Sequence, residues 1–197
     1  MPSHAFQRWQ HQAQDALDEI EQAHRAVGGV GPGRRYATQQ INQAYVVMVS
    51  SQFQRFCRDL HSEAADHLTH DPSPNPNPRY FLLRMRLTEG RKLDSQNANP
   101  ANLGSDFGRF EFAAGFWGEV RSADPIRMKQ LQDEFQLLNV WRNAIAHQDF
   151  TSSELKGRTT IRLADARRWR RTCQELALRF DQVVSQRLQA ILGMVPW

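Results

Sequence analysis

The stretch from Tyr36 to Leu68 repeats apolar side chains at the three- and four-residue spacing of a helix. Ile41, Tyr45, Met48, Phe53, Phe56, Leu60 and Ala64 form one stripe, which Ala44, Val47 and Cys57 widen. A helix of this length draws most of its stability from neighbours packed on its apolar face. So wide a stripe predicts a central position and is compatible with a subunit interface as well. The run is bounded on both sides. Gly28-Gly29-Val30-Gly31-Pro32-Gly33 ends the segment before it, and Asp71-Pro72-Ser73-Pro74-Asn75-Pro76-Asn77-Pro78 breaks the helix after it. Prolines at alternate positions favour an extended, exposed linker. The glycine run lacks a terminal GK[ST] and follows a helix, so it reads as a loop and not as a phosphate-binding Walker loop.

The same spacing recurs elsewhere. Ser3 caps a first helix running to about Val27, with Phe6, Trp9, Ala13, Leu17, Ile20 and His24 on one face. Tyr80 to about Leu93 reads as a short helix, followed by a polar loop through Ser105. Asp106 then caps a helix from Phe107 to about Arg121. Its aromatic stripe, Phe107, Phe110, Phe112, Phe116 and Trp117, reads as core before it reads as a base-stacking platform. Asp124-Pro125 opens a long helix to His147, with proline at the first helical position and Met128, Leu131, Phe135, Leu138 and Ile145 facing inward. Gln148 to Thr160 is a polar loop, and Thr159 to Leu163 can form a short extended segment. The last helix spans about Asp165 to Leu192, lined by Trp169, Cys173, Leu176, Phe180, Val184, Leu188 and Ile191. Gly193 stops it, and Met194-Val195-Pro196-Trp197 is a tail able to pack back. The expectation is one all-α domain across residues 1–197: a bundle of long antiparallel helices, with a Pro-rich loop and short additional helices.

Composition bounds the partners. A hydrophobic fraction of 40% fits a globular protein. No run approaches the roughly 20 apolar residues needed to span a bilayer. The N-terminus lacks the apolar core of a signal peptide. A cytoplasmic protein without a membrane partner is expected. Cys57 and Cys173 sit in apolar stripes and read as buried thiols. The net charge of +4 is modest for a nucleic-acid binder. Of 25 basic residues only Lys92, Lys129 and Lys156 are lysines. Arginine dominance fits genome composition and phosphate binding equally well.

Chemistry concentrates in Arg142-Asn143-Ala144-Ile145-Ala146-His147, at the end of the helix that Pro125 opens. Asn143 and His147 are neighbours on one helical face and Arg142 flanks them. A guanidinium donates paired hydrogen bonds to a phosphate, and an imidazole moves protons near neutral pH. Ala144 and Ala146 allow another helix close approach. The combination suits cutting a phosphodiester without a metal.

This hexapeptide resembles the RNxxxH form of the Arg-x4–6-His motif of the HEPN superfamily, small all-α proteins that include prokaryotic toxins and defence ribonucleases. Its place at the end of a long helix in the second half of the chain is similar too. So are Arg35 to Leu68, with Gln52-Phe53-Gln54-Arg55-Phe56-Cys57-Arg58-Asp59-Leu60, and the ending Gly193 to Trp197. The likeness spans 35–197 loosely and leaves the helix before Gly28 aside. It implies a metal-independent endoribonuclease with no cofactor. His147 would move protons as the 2′-hydroxyl attacks the adjacent phosphate, leaving a cyclic phosphate. Arg142 would hold the phosphate and stabilise transition-state charge. Asn143 would orient substrate or His147. A homodimer with a composite active site, an RNA substrate and an antitoxin or other inhibitory partner are implied as well, as is a toxin–antitoxin or anti-phage setting. A non-catalytic HEPN module binding RNA, nucleotide or a partner protein is the alternative. Some HEPN toxins carry a tyrosine two residues after the motif histidine, the site of silencing by nucleotidyl transfer; here that position is Asp149. Asp149 can either pair with His147 or Arg142 or serve as a helix cap.

Two other groupings compete. Asp59, Glu63 and His67 repeat every four residues, as in a helical metal site, or as a solvated stripe. Arg167, Arg168, Arg170 and Arg171 around Trp169, with Arg34 and Arg35, could hold an RNA backbone or form a solvated helix face. His61 and His70 have no evident partners.

Overall fold

The computed structural model describes residues 1–28, 35–71, 73–74 and 77–197. Gly29 to Arg34, together with Pro72, Asn75 and Pro76, lie outside the described residues, as do the side chains of Gly28 and residues 35–37. The expectations for the glycine loop, for part of the proline linker and for Arg34 and Arg35 fall there.

The helices are α1 (His4–Arg8), continued by a π-turn (Trp9–Ala13) into α2 (Gln14–Gly28), then α3 (Arg35–Thr69), α4 (Pro78–Thr88), α5 (Lys92–Ser95), α6 (Pro100–Phe107), α7 (Phe116–Arg121), α8 (Pro125–His147) and α9 (Leu163–Leu192). No strand occurs among the described residues. The chain is an all-α bundle. Thr159 to Arg162 is an irregular segment, held on α3 where Asn42 Nδ2 donates to the Ile161 carbonyl at 2.9 Å.

Side-chain ties set the helix directions. Arg8 meets Asp59 at 3.2 Å and Tyr45 donates to Glu21 at 3.3 Å, so α1–α2 runs antiparallel to α3. Trp9 Nε1 donates to Gln174 at 2.7 Å and Arg167 meets Glu21 at 2.6 Å, which sets α9 antiparallel to α1–α2. Arg127–Glu175 at 2.6 Å and Arg168–Glu134 at 3.1 Å do the same for α8 against α9. Consequently α3 and α9 run parallel at the centre, with α2 on one side and α8 on the other.

Phe53 is where these segments meet. Its ring lies 5.7 Å from Trp9, 4.9 Å from Phe135 and 5.8 Å from Phe180, between centroids. Each such pair adds about 0.5–1.5 kcal/mol to what burial alone provides. The π-turn serves this packing. Trp9, Ala13 and Leu17 are all buried at a strict spacing of four. A regular helix drifts about 40° per such step, and the extra residue of a π-turn takes up that drift.

The helix starts follow the expected chemistry. Ser3 Oγ accepts the Phe6 amide at 3.0 Å and Asp124 accepts that of Arg127 at 2.9 Å. At α9, Asp165 lies in the first turn and accepts the Arg162 amide at 3.1 Å. Residues 89–115 depart from expectation. The helix expected over Tyr80 to Leu93 is split by Gly90, at φ 65°. The loop expected through Ser105 contains α6, which Asn99 caps by accepting the Asn102 amide at 2.8 Å. Asp106 caps a different helix from the one expected. Wholly buried, its carboxylate accepts the Lys92 and Leu93 amides at 3.0 and 2.8 Å, at the start of α5. The helix expected from Phe107 to Arg121 is interrupted where Glu111 turns left-handed at φ 58°, which lets both Phe112 and Phe116 point inward. The aromatic stripe is core, as expected, with Trp117 at its margin. Cys57 and Cys173 are buried free thiols. The tail packs back, Trp197 lying 5.3 Å from the His67 ring. In contrast α4 buries only Leu87 and turns Phe81 and Leu82 outward, 66% and 62% exposed.

His61 has partners that the sequence hides. Its buried ring meets the Asp106 carbonyl at 3.1 Å through Nε2 and Arg91 Nη1 at 3.3 Å through Nδ1. Arg91 can only donate, so the network assigns the neutral Nε2–H tautomer. Burial, seconded by the Arg91 charge, pushes the imidazole down to about 4 from an ordinary 6.5.

Two kinds of melt test this packing. Phe53→Ala should lower stability by about 3–5 kcal/mol, read as a fall in the denaturant midpoint with the slope unchanged. His61 takes up a proton more readily when unfolded than when folded. Stability is therefore unaffected by it above pH 6.5 and falls as pH drops towards 4, by about 3 kcal/mol in all. Chemical melts across that window should lose this slope in His61→Gln. A further loss below pH 4.5 belongs to Glu21, which its Arg167 hydrogen bond holds down to about 2 against the opposing effect of burial.

Candidate active site

Trp141 anchors the end of α8. It is buried, with its ring 6.4 Å from Trp169 of α9 and 6.2 Å from Phe150 in the returning loop. The Arg158 guanidinium lies 5.4 Å from its centroid. Beyond Trp141 the helix stops sharply. Gln148 adopts φ 53°, its amide donates to Ile145 O at 3.3 Å, and the Asp149 amide donates to Ala144 O at 3.0 Å. This is a Schellman closure, with a non-glycine residue at the left-handed position.

Between anchor and stop, helical geometry sets Arg142, Ala146, Asn143 and His147 in that order around about 140° of arc. Asn143, Ala146 and His147 face solvent and Arg142 is half-buried, whereas Ala144 and Ile145 are core. Of the two alanines expected to admit a neighbour, Ala144 is thus taken up by the fold. Ala146 leaves a bare floor between the polar groups. Arg142 Nη1 donates to Asn143 Oδ1 at 3.2 Å, and no carboxylate pairs with Arg142 among the described residues. The His147 ring forms no hydrogen bond among the described residues, and the Asp149 carboxylate acts on it only at a distance.

One residue of this site carried no sequence signal. Asn97, in the loop before α6, donates its Nδ2 to Asn143 Oδ1 at 2.6 Å. The nearby Asn99-Pro100 pair does announce the start of α6, in the way Asp124-Pro125 announces α8.

Asp149 is occupied by its own turn. Its Oδ1 accepts the Thr151 hydroxyl at 2.7 Å and the Thr151 amide at 3.0 Å. These two bonds, the hydroxyl first, hold its carboxyl below the usual range, with burial opposing and His147 adding least. Asp149 therefore acts as a turn residue at the helix end.

The competing groupings are dispersed. Asp59 pairs with Arg8, Glu63 accepts the His4 and Ala5 amides at 2.8 Å each, and His67 lies against Trp197. No set of three potential metal ligands converges among the described residues. Arg167, Arg168 and Arg170 are paired with Glu21, Glu134 and Asp18, and Trp169 is core. Only Arg171 of that cluster stays on the surface without a carboxylate among the described residues. The 820 Å³ groove beside Leu192 and Met194 lies at the far end of α9 from the motif.

No family model, curated protein or solved structure matches this chain. The functional reading therefore rests on the arc of α8.

The helix stop offers a check on this geometry. Gln148→Gly should raise stability by about 0.5–1 kcal/mol, because glycine adopts the left-handed position without the steric cost. Thermal melts would show it. A fall would mean that the Gln148 side-chain bond to Ile145 O, 2.8 Å long, outweighs the backbone relief.

Proposed function

We propose that the chain is a HEPN-type endoribonuclease that cleaves RNA by 2′-hydroxyl attack without a metal. The observation that carries this is Arg142. It is a half-buried arginine whose guanidinium no carboxylate neutralises among the described residues, on the same solvent-facing arc as Asn143 and His147. An uncompensated cation beside open space can receive an anion, and its planar fork suits a phosphate. RNA already holds its nucleophile beside the phosphorus, so the protein must supply position, charge and a proton path.

In this reaction His147 takes the 2′-hydroxyl proton as the oxygen bonds to phosphorus. The bond to the 5′-oxygen breaks, and that oxygen leaves with a proton from a second donor. The products are a 2′,3′-cyclic phosphate and a 5′-hydroxyl. One imidazole performs one of the two transfers, and a second copy with its arc opposed would supply the other. A twofold pairing of this kind would also close the site from water. The resemblance implies a toxin–antitoxin or defence setting for such a nuclease, with an inhibitory partner.

The openness of the arc favours a second reading, a non-catalytic module that holds RNA or a partner at the same residues. Labelled RNA incubated with protein and chelator separates the two. The nuclease is expected to yield cyclic-phosphate ends, and His147→Ala to slow cleavage by about 10²–10⁴-fold with RNA binding kept. Arg142→Lys should lose most of the activity, since an ammonium cannot reproduce the fork. Identical residual cleavage by wild type and His147→Ala would overturn the catalytic assignment. RNA binding lost in Arg142→Ala, with no cleavage by wild type, would establish the module.

A further inference from the structure

A carboxamide has one accepting end and one donating end, and its partners decide which faces outward. Asn143 Oδ1 receives two donors, Asn97 Nδ2 at 2.6 Å and Arg142 Nη1 at 3.2 Å. Its amide nitrogen donates to nothing among the described residues. Two N–H donors therefore remain for whatever approaches the arc, beside the free edge of Arg142.

Asn97 is itself held from three helices. From α3, Gln54 Nε2 donates to the Leu93 and Gln96 carbonyls at 3.2 and 2.9 Å. From α6, Asn102 Nδ2 donates to the Asn97 carbonyl at 2.8 Å. From α8, Asn139 Nδ2 reaches the Ala98 carbonyl at 3.4 Å. The backbone on both sides of Asn97 is thus fixed, and its side chain is delivered to Asn143 from outside α8.

We propose that Asn97 is a positioning residue of the phosphate site: it holds the Asn143 oxygen inward, so that Asn143 and Arg142 present only donors to an RNA phosphate. The inference rests on the ribonuclease reading of the same arc. In Asn97→Ala the Asn143 oxygen keeps one donor and the amide turns freely. In Asn97→Asp, which is nearly isosteric, the new carboxylate accepts where Asn97 donated, so the Asn143 amide turns inward and its oxygen faces the phosphate.

The test is a double-mutant cycle read by binding of a fluorescent, fully 2′-O-methylated RNA, which the proposed reaction cannot cleave. Asn97→Ala and Asn143→Ala should each weaken binding about tenfold. The double variant should be no weaker than Asn143→Ala alone. Asn97→Asp should bind worse than Asn97→Ala while its melting temperature stays at or above that of wild type, because a carboxylate beside Arg142 suits the fold and not the ligand. A residue that merely tied the loop to α8 would show binding losses that track the loss of stability. Wild-type binding by Asn97→Ala, with Arg142→Ala defective, overturns the proposal and leaves the nuclease reading standing. Losses that multiply in the double variant overturn it as well, since Asn97 would then act elsewhere than through Asn143. A wild-type protein that neither binds this probe nor cleaves RNA overturns both.

Discussion

The ring of Phe53 holds the architecture together. It touches Trp9 at the π-turn, Phe135 of α8 and Phe180 of α9, and Phe180 passes the contact on to Phe116 and Trp117. Its contact with Phe135 matters for the arc. Phe135 precedes Arg142 by seven residues, so the two lie within about 20° of each other around α8. Seating Phe135 against Phe53 fixes the rotation of α8, and two turns later the same azimuth emerges half-buried at Arg142. Trp141, locked against Trp169, prevents the last turns from rotating away. The direction in which the motif faces is therefore a consequence of core packing, while its own side chains contribute little to holding it there.

How much could be read from the chain depends on the range of the interactions. The four long segments announced themselves because helical periodicity is local, and Ser3 and Asp124 cap the helices that they precede. Between Glu89 and Gly115 the Asn99-Pro100 cap is local, but the use made of Asp106 is set at a distance. Asp106 looks like a cap for a helix starting at Phe107, yet its carboxylate serves the start of α5, which comes before it. Nothing in the neighbouring sequence distinguishes these uses, because only the folded position of α6 brings that carboxylate to Lys92 and Leu93. The candidate site divides in the same way. Arg142, Asn143 and His147 share one helix, so their spacing shows that they converge. Asn97 reaches Asn143 across 46 positions of sequence and a loop, and its residue type does not set it apart from the asparagines around it. The metal grouping failed for a related reason. Shared helical face was correctly read for Asp59, Glu63 and His67, but the first amides of α1 take Glu63, Arg8 at the end of α1 takes Asp59, and the C-terminal tail covers His67.

The abundance of arginine has a structural explanation that composition left open. Short helices expose as many orphan carbonyls as long ones and have fewer residues with which to satisfy them. Here guanidinium groups from elsewhere do so. Arg109 donates to the carbonyls of Arg86, Leu87, Glu89 and Gly90 at and just past the end of α4. Arg179 reaches those of Glu119 and Val120 near the end of α7, and Arg187 that of Phe110. Others, such as Arg167 and Arg170, tie α9 to α2 through carboxylates. A five-donor planar group is well matched to such clustered acceptors, as an ammonium is not. Against that pattern Arg142 stands apart. It lies in the last turns of α8, where carbonyls also await partners, yet that end is closed by the backbone of Gln148 and Asp149 and by the Gln148 amide. Its guanidinium is released from the capping role that its counterparts fill. It is turned instead to a carboxamide oxygen that already has another donor, which leaves most of its hydrogen-bonding capacity facing outward, on the arc that ends at His147.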